Sequence, residues 1–272
     1  MENTVTYKDL PLSEAVQKAI EEKGYVLPTP IQKEIIPLFI QGKKDIIGQA
    51  STGTGKTASF GIPLIELIQT DIPGTEALIM CPTRELAIQV ASEIESLAKY
   101  KPFNITLLYG GNKYYIEEKN LRSNPKIIVG TPGRIKDHLD RGNLKLQNIK
   151  YFVLDEADEM LNIGFREAIE EIMKLTPTEK RVLLFSATMP KDILRIAERY
   201  MKGYDLISIK RDDSKKALIS QSYYVVNERN KFDLLSLIIE TSPDFYGIVF
   251  CKRKIDVDEV NEKLRGAGYK SE

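Results

Sequence analysis

From about residue 44 onward, short apolar runs alternate with longer amphipathic stretches, and this alternation constrains the fold more than any other feature of the sequence. An apolar run of four or five residues between turn residues is the pattern of a strand buried on both faces. The helical period that follows supplies the cover. The alternation predicts strands over 45–48, 77–81, 105–109, 127–130, 152–155, 182–186 and 206–209, with helices between them that include 58–69, 84–100 and 191–200. The fold class that follows is α/β, a doubly wound parallel sheet flanked by helices. A helical prelude is expected over 13–23, with Ser13 as its N-cap, and over 31–40, divided by the turn-forming Gly24-Tyr25-Val26-Leu27-Pro28-Thr29-Pro30.

At 272 residues the chain exceeds one ordinary domain. The polar, charge-dense run Lys210-Arg211-Asp212-Asp213-Ser214-Lys215-Lys216 reads as a linker over 210–217, separating a domain over 1–209 from a second part over 218–272. In that second part the period resumes, predicting strands over 222–226 and 247–251 and helices over 231–240 and 257–264. Two βα units bury too little surface to stand alone, so an incomplete second α/β lobe is expected.

Charge and composition exclude several function classes. Lys plus Arg and Asp plus Glu each number 39, so any nucleic-acid site must be local and not a global basic field. His138 is the only histidine, which removes Ser/His/Asp hydrolysis and His-Cys zinc sites and leaves carboxylates, lysine and metal to carry chemistry. Cys81 and Cys251 each close an apolar run and are expected as buried, reduced thiols. The N-terminus has no signal-peptide core or Arg-rich transit pattern, and no apolar stretch is long enough to span a bilayer, so the expected address is the cytoplasm.

The segment Ala50-Ser51-Thr52-Gly53-Thr54-Gly55-Lys56-Thr57 follows an apolar run and opens a helical one. That context lets backbone N–H groups converge on anionic oxygens at a helix N-terminus. Gly53 and Gly55 permit the tight turn, Lys56 can reach the β and γ phosphates of a nucleotide, and the Thr57 hydroxyl can ligate Mg²⁺. Ala50 stands where the general pattern has Gly. Downstream, Tyr151-Phe152-Val153-Leu154 leads into Asp155-Glu156-Ala157-Asp158. An acid at the end of such a strand holds the metal in phosphate-loop NTPases, which makes Asp155 the metal ligand and Glu156 the residue that orients or deprotonates water.

Together these two segments resemble the DEAD-box RNA helicases, a resemblance that covers nearly the whole chain. Gly24-Tyr25, Pro28-Thr29-Pro30-Ile31-Gln32 and the preceding Tyr7 resemble that family's Q motif. The resemblance implies that Gln32 reads the adenine edge of ATP, with Tyr7 or Tyr25 stacking on the base. Pro82-Thr83-Arg84-Glu85-Leu86-Ala87, Gly110-Gly111 and Thr131-Pro132-Gly133-Arg134 look like its RNA-contacting motifs, with Arg84 or Arg134 adding charge. All three directly follow predicted strands and should share one rim of the sheet, gripping the sugar-phosphate backbone without reading bases. Ser186-Ala187-Thr188 resembles the motif that couples nucleotide state to strand separation, its hydroxyls bonding Asp158 and its neighbours, and Ile248-Val249-Phe250-Cys251 resembles the opening of the family's second-lobe motif IV.

The resemblance implies a RecA-like first lobe with ATP and Mg²⁺ as cofactors, RNA as partner, and Lys56, Asp155 and Glu156 in catalysis. It also implies that the second lobe's arginine-rich motifs, absent from this sequence, complete turnover, so the chain is expected to bind nucleotide and barely hydrolyse it. Two other readings stay open. One is an ATP-gated RNA clamp or scaffold that grips without unwinding; the other is a phosphate-loop ATPase acting on DNA or protein.

Overall fold

A computed structural model of the chain describes residues 5–51, 53–209 and 220–272. Two compact units divide it, 1–212 and 213–272. The expected linker over 210–217 lies outside the described residues.

In the first unit the strands are β1 (Asp45–Gln49), β2 (Ala77–Met80), β3 (Ile105–Leu108), β4 (Ile127–Gly130), β5 (Tyr151–Leu154), β6 (Arg181–Ser186) and β7 (Tyr204–Ser208). Every strand expected in this unit is present, β4 with the expected bounds and the others with ends displaced by at most two residues. The helices are α1 (Glu14–Glu22), α2 (Pro30–Gln41), α3 (Lys56–Leu67), α4 (Arg84–Leu97), α5 (Tyr114–Leu121), α6 (Pro132–Asp140), α7 (Ala157–Asn162), α8 (Arg166–Lys174) and α9 (Lys191–Tyr200). Ser13 stands at the N-cap position of α1, but its hydroxyl donates to Glu66 Oε2 at 2.8 Å and makes no capping bond.

The seven strands form one sheet in the order β3-β4-β2-β5-β6-β1-β7, and all its pairings are parallel. Burial explains the uninterrupted apolar runs. Successive side chains of a strand point to opposite faces, and here both faces are covered. Ala77, Ile79, Ile127, Val129, Val153 and Leu183 join one core with residues of α2, α3 and α4, while Leu78, Met80, Ile128, Phe152, Leu154 and Leu184 join a second core with residues of α6 to α9. At the sheet edge, β7 leaves Tyr204 and Leu206 exposed.

Parallel order places every strand's C-terminal end on the same rim. Turns after β5, β6 and β1 are neighbours on one half of that rim, and turns after β2, β4 and β3 are neighbours on the other. Chain connections reverse direction between these halves, the place where open α/β sheets form ligand crevices.

In the second unit, α10 (Lys231–Thr241) and α11 (Lys254–Gly266) form where helices were expected. The strands expected over 222–226 and 247–251 do not: among the described residues neither segment has a hydrogen-bonded neighbour strand, and Tyr223, Val225, Ile248 and Phe250 are exposed. A strand exists only with a partner for its N–H and C=O groups, so the apolar pattern alone is insufficient. Cys81 is fully buried and its thiol is pushed well above the ordinary range by that burial, with Asp155 and Glu156 adding to it. Cys251, expected buried, is only partly so. Among the described residues no helix is long and apolar enough to cross a membrane.

Candidate functional site

The turn between β1 and α3 is the phosphate-loop candidate. Gly53 and Gly55 adopt left-handed φ values of 77° and 87°. At Gly55 a Cβ would also come within 2.5 Å of Gln32 Nε2, so both backbone conformation and space require glycine there. Thr54 Oγ1 donates to Ser51 O at 2.8 Å and braces the turn. Thr52 lies outside the described residues. Because α3 starts at Lys56, the free N–H groups of its first turn face the rim.

Lys56 is buried, its Nζ has no hydrogen-bond partner, and Glu156 Oε1 lies 4.0 Å away. Asp155, which extends β5 through its N–H bond to Met80 O at 2.9 Å, is also buried, with Oδ1 unpartnered. Burial pushes the Asp155 carboxyl up to about 6; Lys56 opposes that shift and Glu156 adds to it. Leaving a buried polar group without a partner costs about 1–3 kcal/mol, more for a charged group. Two such groups of opposite sign face one cavity of about 360 Å³, lined also by Tyr25, Gly53, Gly55, Thr57 and Glu156. The donor set fits a ligand that brings anionic oxygens to the lysine and a hard cation to the carboxylate and the Thr57 hydroxyl. Glu156 has φ 52° and ψ 52°, a left-handed conformation that costs a non-glycine residue roughly 1–3 kcal/mol. Glu156 is the N-cap residue of α7, and its side chain lines the cavity.

Gln32 is buried behind the turn. Its Oε1 accepts from Tyr7 Oη at 2.6 Å and from Thr29 N at 2.9 Å, and its Nε2 donates to Gly55 O at 3.1 Å. Both oxygen lone pairs are thereby engaged and one amide hydrogen remains. The Tyr7 and Tyr25 rings stack with centroids 6.3 Å apart. Tyr25 lines the 360 Å³ cavity and donates to Glu93 Oε1 at 2.5 Å, whereas Tyr7 is buried and lines only a smaller hollow of about 190 Å³ that Tyr25 shares. Burial, with the Glu93 charge, pushes the Tyr7 hydroxyl up to about 12.

After β6, Ser186 Oγ donates to Thr188 O at 2.6 Å, while Thr188 N and Oγ1 donate to Asp158 Oδ2 at 3.0 and 2.7 Å. Ser186 O accepts from Ala50 N at 3.2 Å, which ties the start of the phosphate loop to the same strand end. No sequence pattern announced that link, because it depends on β1 and β6 being neighbours.

On the other half of the rim, Pro82, Thr83 and Arg84 follow β2, Gly110 and Gly111 follow β3, and Thr131, Pro132, Gly133 and Arg134 follow β4. Thr83 Oγ1 caps α4 by accepting from Leu86 N at 3.3 Å. Gly110, Gly111 and Gly133 are exposed. The two arginines differ. Arg84 is exposed, its guanidinium 4.9 Å from the centre of the Tyr109 ring. Arg134 is spent internally, on Glu117 Oε2 at 2.7 Å, Asp137 Oδ2 at 3.3 Å and Asn112 O at 3.2 Å. His138 is buried, stacked on Tyr114 and 2.9 Å from Glu117 Oε2. Sequence reading missed Glu117, since nothing local separates it from its neighbour Glu118.

Residues 29–196 match the family model described as DEAD/DEAH box helicase. The chain is 50% identical over 267 residues to a protein of Methanocaldococcus jannaschii named as a probable ATP-dependent RNA helicase, covering 98% of this chain and 71% of that one. It is 45% identical over 269 residues to the DEAD-box ATP-dependent RNA helicase CshA of Bacillus subtilis, covering 99% of this chain and 54% of the relative. Among solved structures, a DEAD box protein from the hyperthermophile Methanococcus jannaschii aligns with TM-score 0.74 and 50% identity over 97% of this chain and 71% of its own. A hypothetical ATP-dependent RNA helicase from Sulfolobus tokodaii aligns with TM-score 0.68 and 35% identity, over 73% of this chain and 57% of its own. The chain thus spans about half to seven tenths of the length of these relatives. Its parallel sheet is the RecA-like α/β fold of those structures. With the family model matching more than half of the chain, and a relative at 50% identity over nearly all of it, the chain belongs to the DEAD/DEAH box helicase family.

Proposed function

We propose that this chain binds Mg²⁺·ATP on the β5-β6-β1 half of the rim and the RNA sugar-phosphate backbone on the β2-β4-β3 half, and that it serves ATP-dependent separation of short RNA duplexes. The observation that carries the nucleotide site is the pair of buried, unpartnered groups of opposite charge, Lys56 Nζ and Asp155 Oδ1, at a cavity fronted by a glycine turn. Lys56 and the N–H groups of the loop over 51–57 would hold the phosphates, Thr57 and Asp155 the metal ion, and Glu156 the attacking water. A divalent cation held by Thr57 and Asp155 would supply positive charge against the charge that develops on phosphoryl transfer.

The base would lie against Tyr25, with Gln32 offering an amide edge that can both donate and accept. Accepting from an adenine amino group requires Gln32 Oε1 to release Tyr7 or Thr29. Asp158, Ser186 and Thr188, joined to the phosphate loop through Ala50, are the candidates to pass nucleotide state to the rest of the molecule. On the RNA side, exposed glycine backbone at Gly110, Gly111 and Gly133, the partly exposed Thr83 and Thr131, and the Arg84 charge offer contacts that grip without a base code, while Pro82 and Pro132 are buried and shape the turns from within.

The deciding experiment is titration with a fluorescent ATP analogue, with and without Mg²⁺, alongside ATP turnover with and without single-stranded RNA. Metal-dependent binding of the analogue is expected. Binding that ignores Mg²⁺ would remove Thr57 and Asp155 from the metal role, and RNA-stimulated turnover by this chain alone would show that the sites described here suffice for hydrolysis.

A further inference from the structure

One buried carboxylate lies among the three turns of the β2-β4-β3 rim, and the nucleotide site makes no use of it. Glu117, on α5, is fully buried. Its Oε2 accepts from Arg134 Nε at 2.7 Å and lies 2.9 Å from His138 Nε2; its Oε1 accepts from Tyr109 N at 3.2 Å. An ionised carboxylate has no proton to give, so the His138 Nε2–H is the donor in that contact.

These three donors come from two parts of the rim. Tyr109 is the residue before Gly110-Gly111, while Arg134 and His138 belong to α6, which opens at Thr131. Arg134 also donates to Asn112 O at 3.2 Å, binding α6 to the glycine turn a second time. The Tyr109 ring in turn carries the guanidinium of Arg84, which follows Pro82-Thr83. A single acid therefore reaches two of the turns directly and the third through one aromatic contact.

Simple stabilisation is a poor account of this arrangement. Burying charges costs desolvation, and an apolar residue would pack α5 at lower cost. What a carboxylate adds is direction, since its fixed lone pairs hold N–H groups from separate elements in one geometry. Arg134 contributes here by position, its charge being matched by Glu117 and Asp137.

We propose that Glu117 is a positioning residue for RNA gripping, holding Tyr109 and α6 so that Arg84 and the exposed glycine backbone at Gly110, Gly111 and Gly133 meet one sugar-phosphate chain together. This rests on the reading of that rim as the RNA site.

The test uses the full chain, with anisotropy of fluorescein-labelled single-stranded oligouridylate for RNA, a fluorescent ATP analogue for nucleotide, and amide exchange at Tyr109. Glu117→Gln keeps the volume but turns one acceptor into a donor, leaving at least one of the three N–H groups unmatched. The expected result is RNA binding weakened roughly tenfold, unchanged affinity for the analogue and faster exchange at Tyr109. With Arg84→Gln added, a combined loss smaller than the sum of the two single losses is expected, because Glu117 acts in part through the support of Arg84. If Arg84→Gln weakens RNA binding and Glu117→Gln does not, or if the two losses add, the proposal is overturned and the rim reading stands. If Arg84→Gln binds RNA like the unaltered chain, the rim reading fails and takes the proposal with it. Should Glu117→Gln not fold, Tyr109→Leu keeps the backbone bond and removes the platform under Arg84. The same selective loss of RNA binding is then expected, and full affinity would overturn the proposal.

Discussion

Thr188 donates both its backbone N–H and its hydroxyl to Asp158 Oδ2, at 3.0 and 2.7 Å, and so ties the end of β6 to the first turn of α7. Burial would raise the Asp158 carboxyl, but the hydrogen bonds from Thr188 outweigh it and hold the group below its ordinary range. Thr188→Val removes the hydroxyl and keeps the backbone bond. Since the pair is exposed, a loss of about 1 kcal/mol is expected, read as a lower urea midpoint at unchanged slope. An unaltered midpoint would show that water replaces the hydroxyl at no cost.

Lys56→Ala should weaken binding of a fluorescent ATP analogue at least tenfold, because the lysine is the buried cation facing the cavity and a charge-assisted bond to phosphate is lost with it. Analogue affinity equal to that of the unaltered chain would remove Lys56 from the phosphate site.

Glu156→Gln should leave nucleotide affinity within about twofold and reduce whatever ATP turnover is measured by two orders of magnitude or more, as removal of a general base does. Because the strained backbone at Glu156 is unchanged by this substitution, its effect reports the carboxylate and not the turn. Retained turnover would take Glu156 out of its proposed role.

Gln32→Ala should narrow the preference for ATP over GTP and also destabilise the fold by about 1–3 kcal/mol, since the Tyr7 hydroxyl and the Thr29 N–H lose their shared acceptor. Thermal melting separates the two effects. Equal ATP and GTP affinity in the unaltered chain would end the adenine-reading assignment.

Glu117 carries a pH prediction. Burial opposes ionisation, but hydrogen bonds from His138, Arg134 and the Tyr109 amide outweigh it and hold the carboxyl below its ordinary value of 4.5. A folded-state value below the unfolded one means that the group's contribution is complete above the ordinary value and is lost as pH falls through the folded one. Glu117→Gln should therefore be less stable than the unaltered chain near neutrality, with the difference shrinking below about pH 4.5. Urea midpoints between pH 3 and 7 measure it; a difference constant with pH would mean that ionisation of Glu117 contributes nothing.

Strands, helices and the two chemical segments of the first unit were legible in the amino-acid order because each depends on local properties. Uninterrupted apolar runs mark β2 and β4, buried on both faces, and glycine spacing marks the turn at Gly53 and Gly55. Tertiary structure alone decided what depends on neighbours distant in sequence. Lys56 and Asp155 share a cavity because β1 and β5 flank β6, an order that no local pattern encodes. Arg84 and Arg134 read alike in sequence, yet one faces solvent and the other is matched by Glu117 and Asp137, since a charge is free or spent according to what the fold brings beside it. The apolar run over 247–251 shows the converse: its pattern is that of a strand, but among the described residues no neighbour pairs with it, and hydrogen-bonded pairing is what makes a strand.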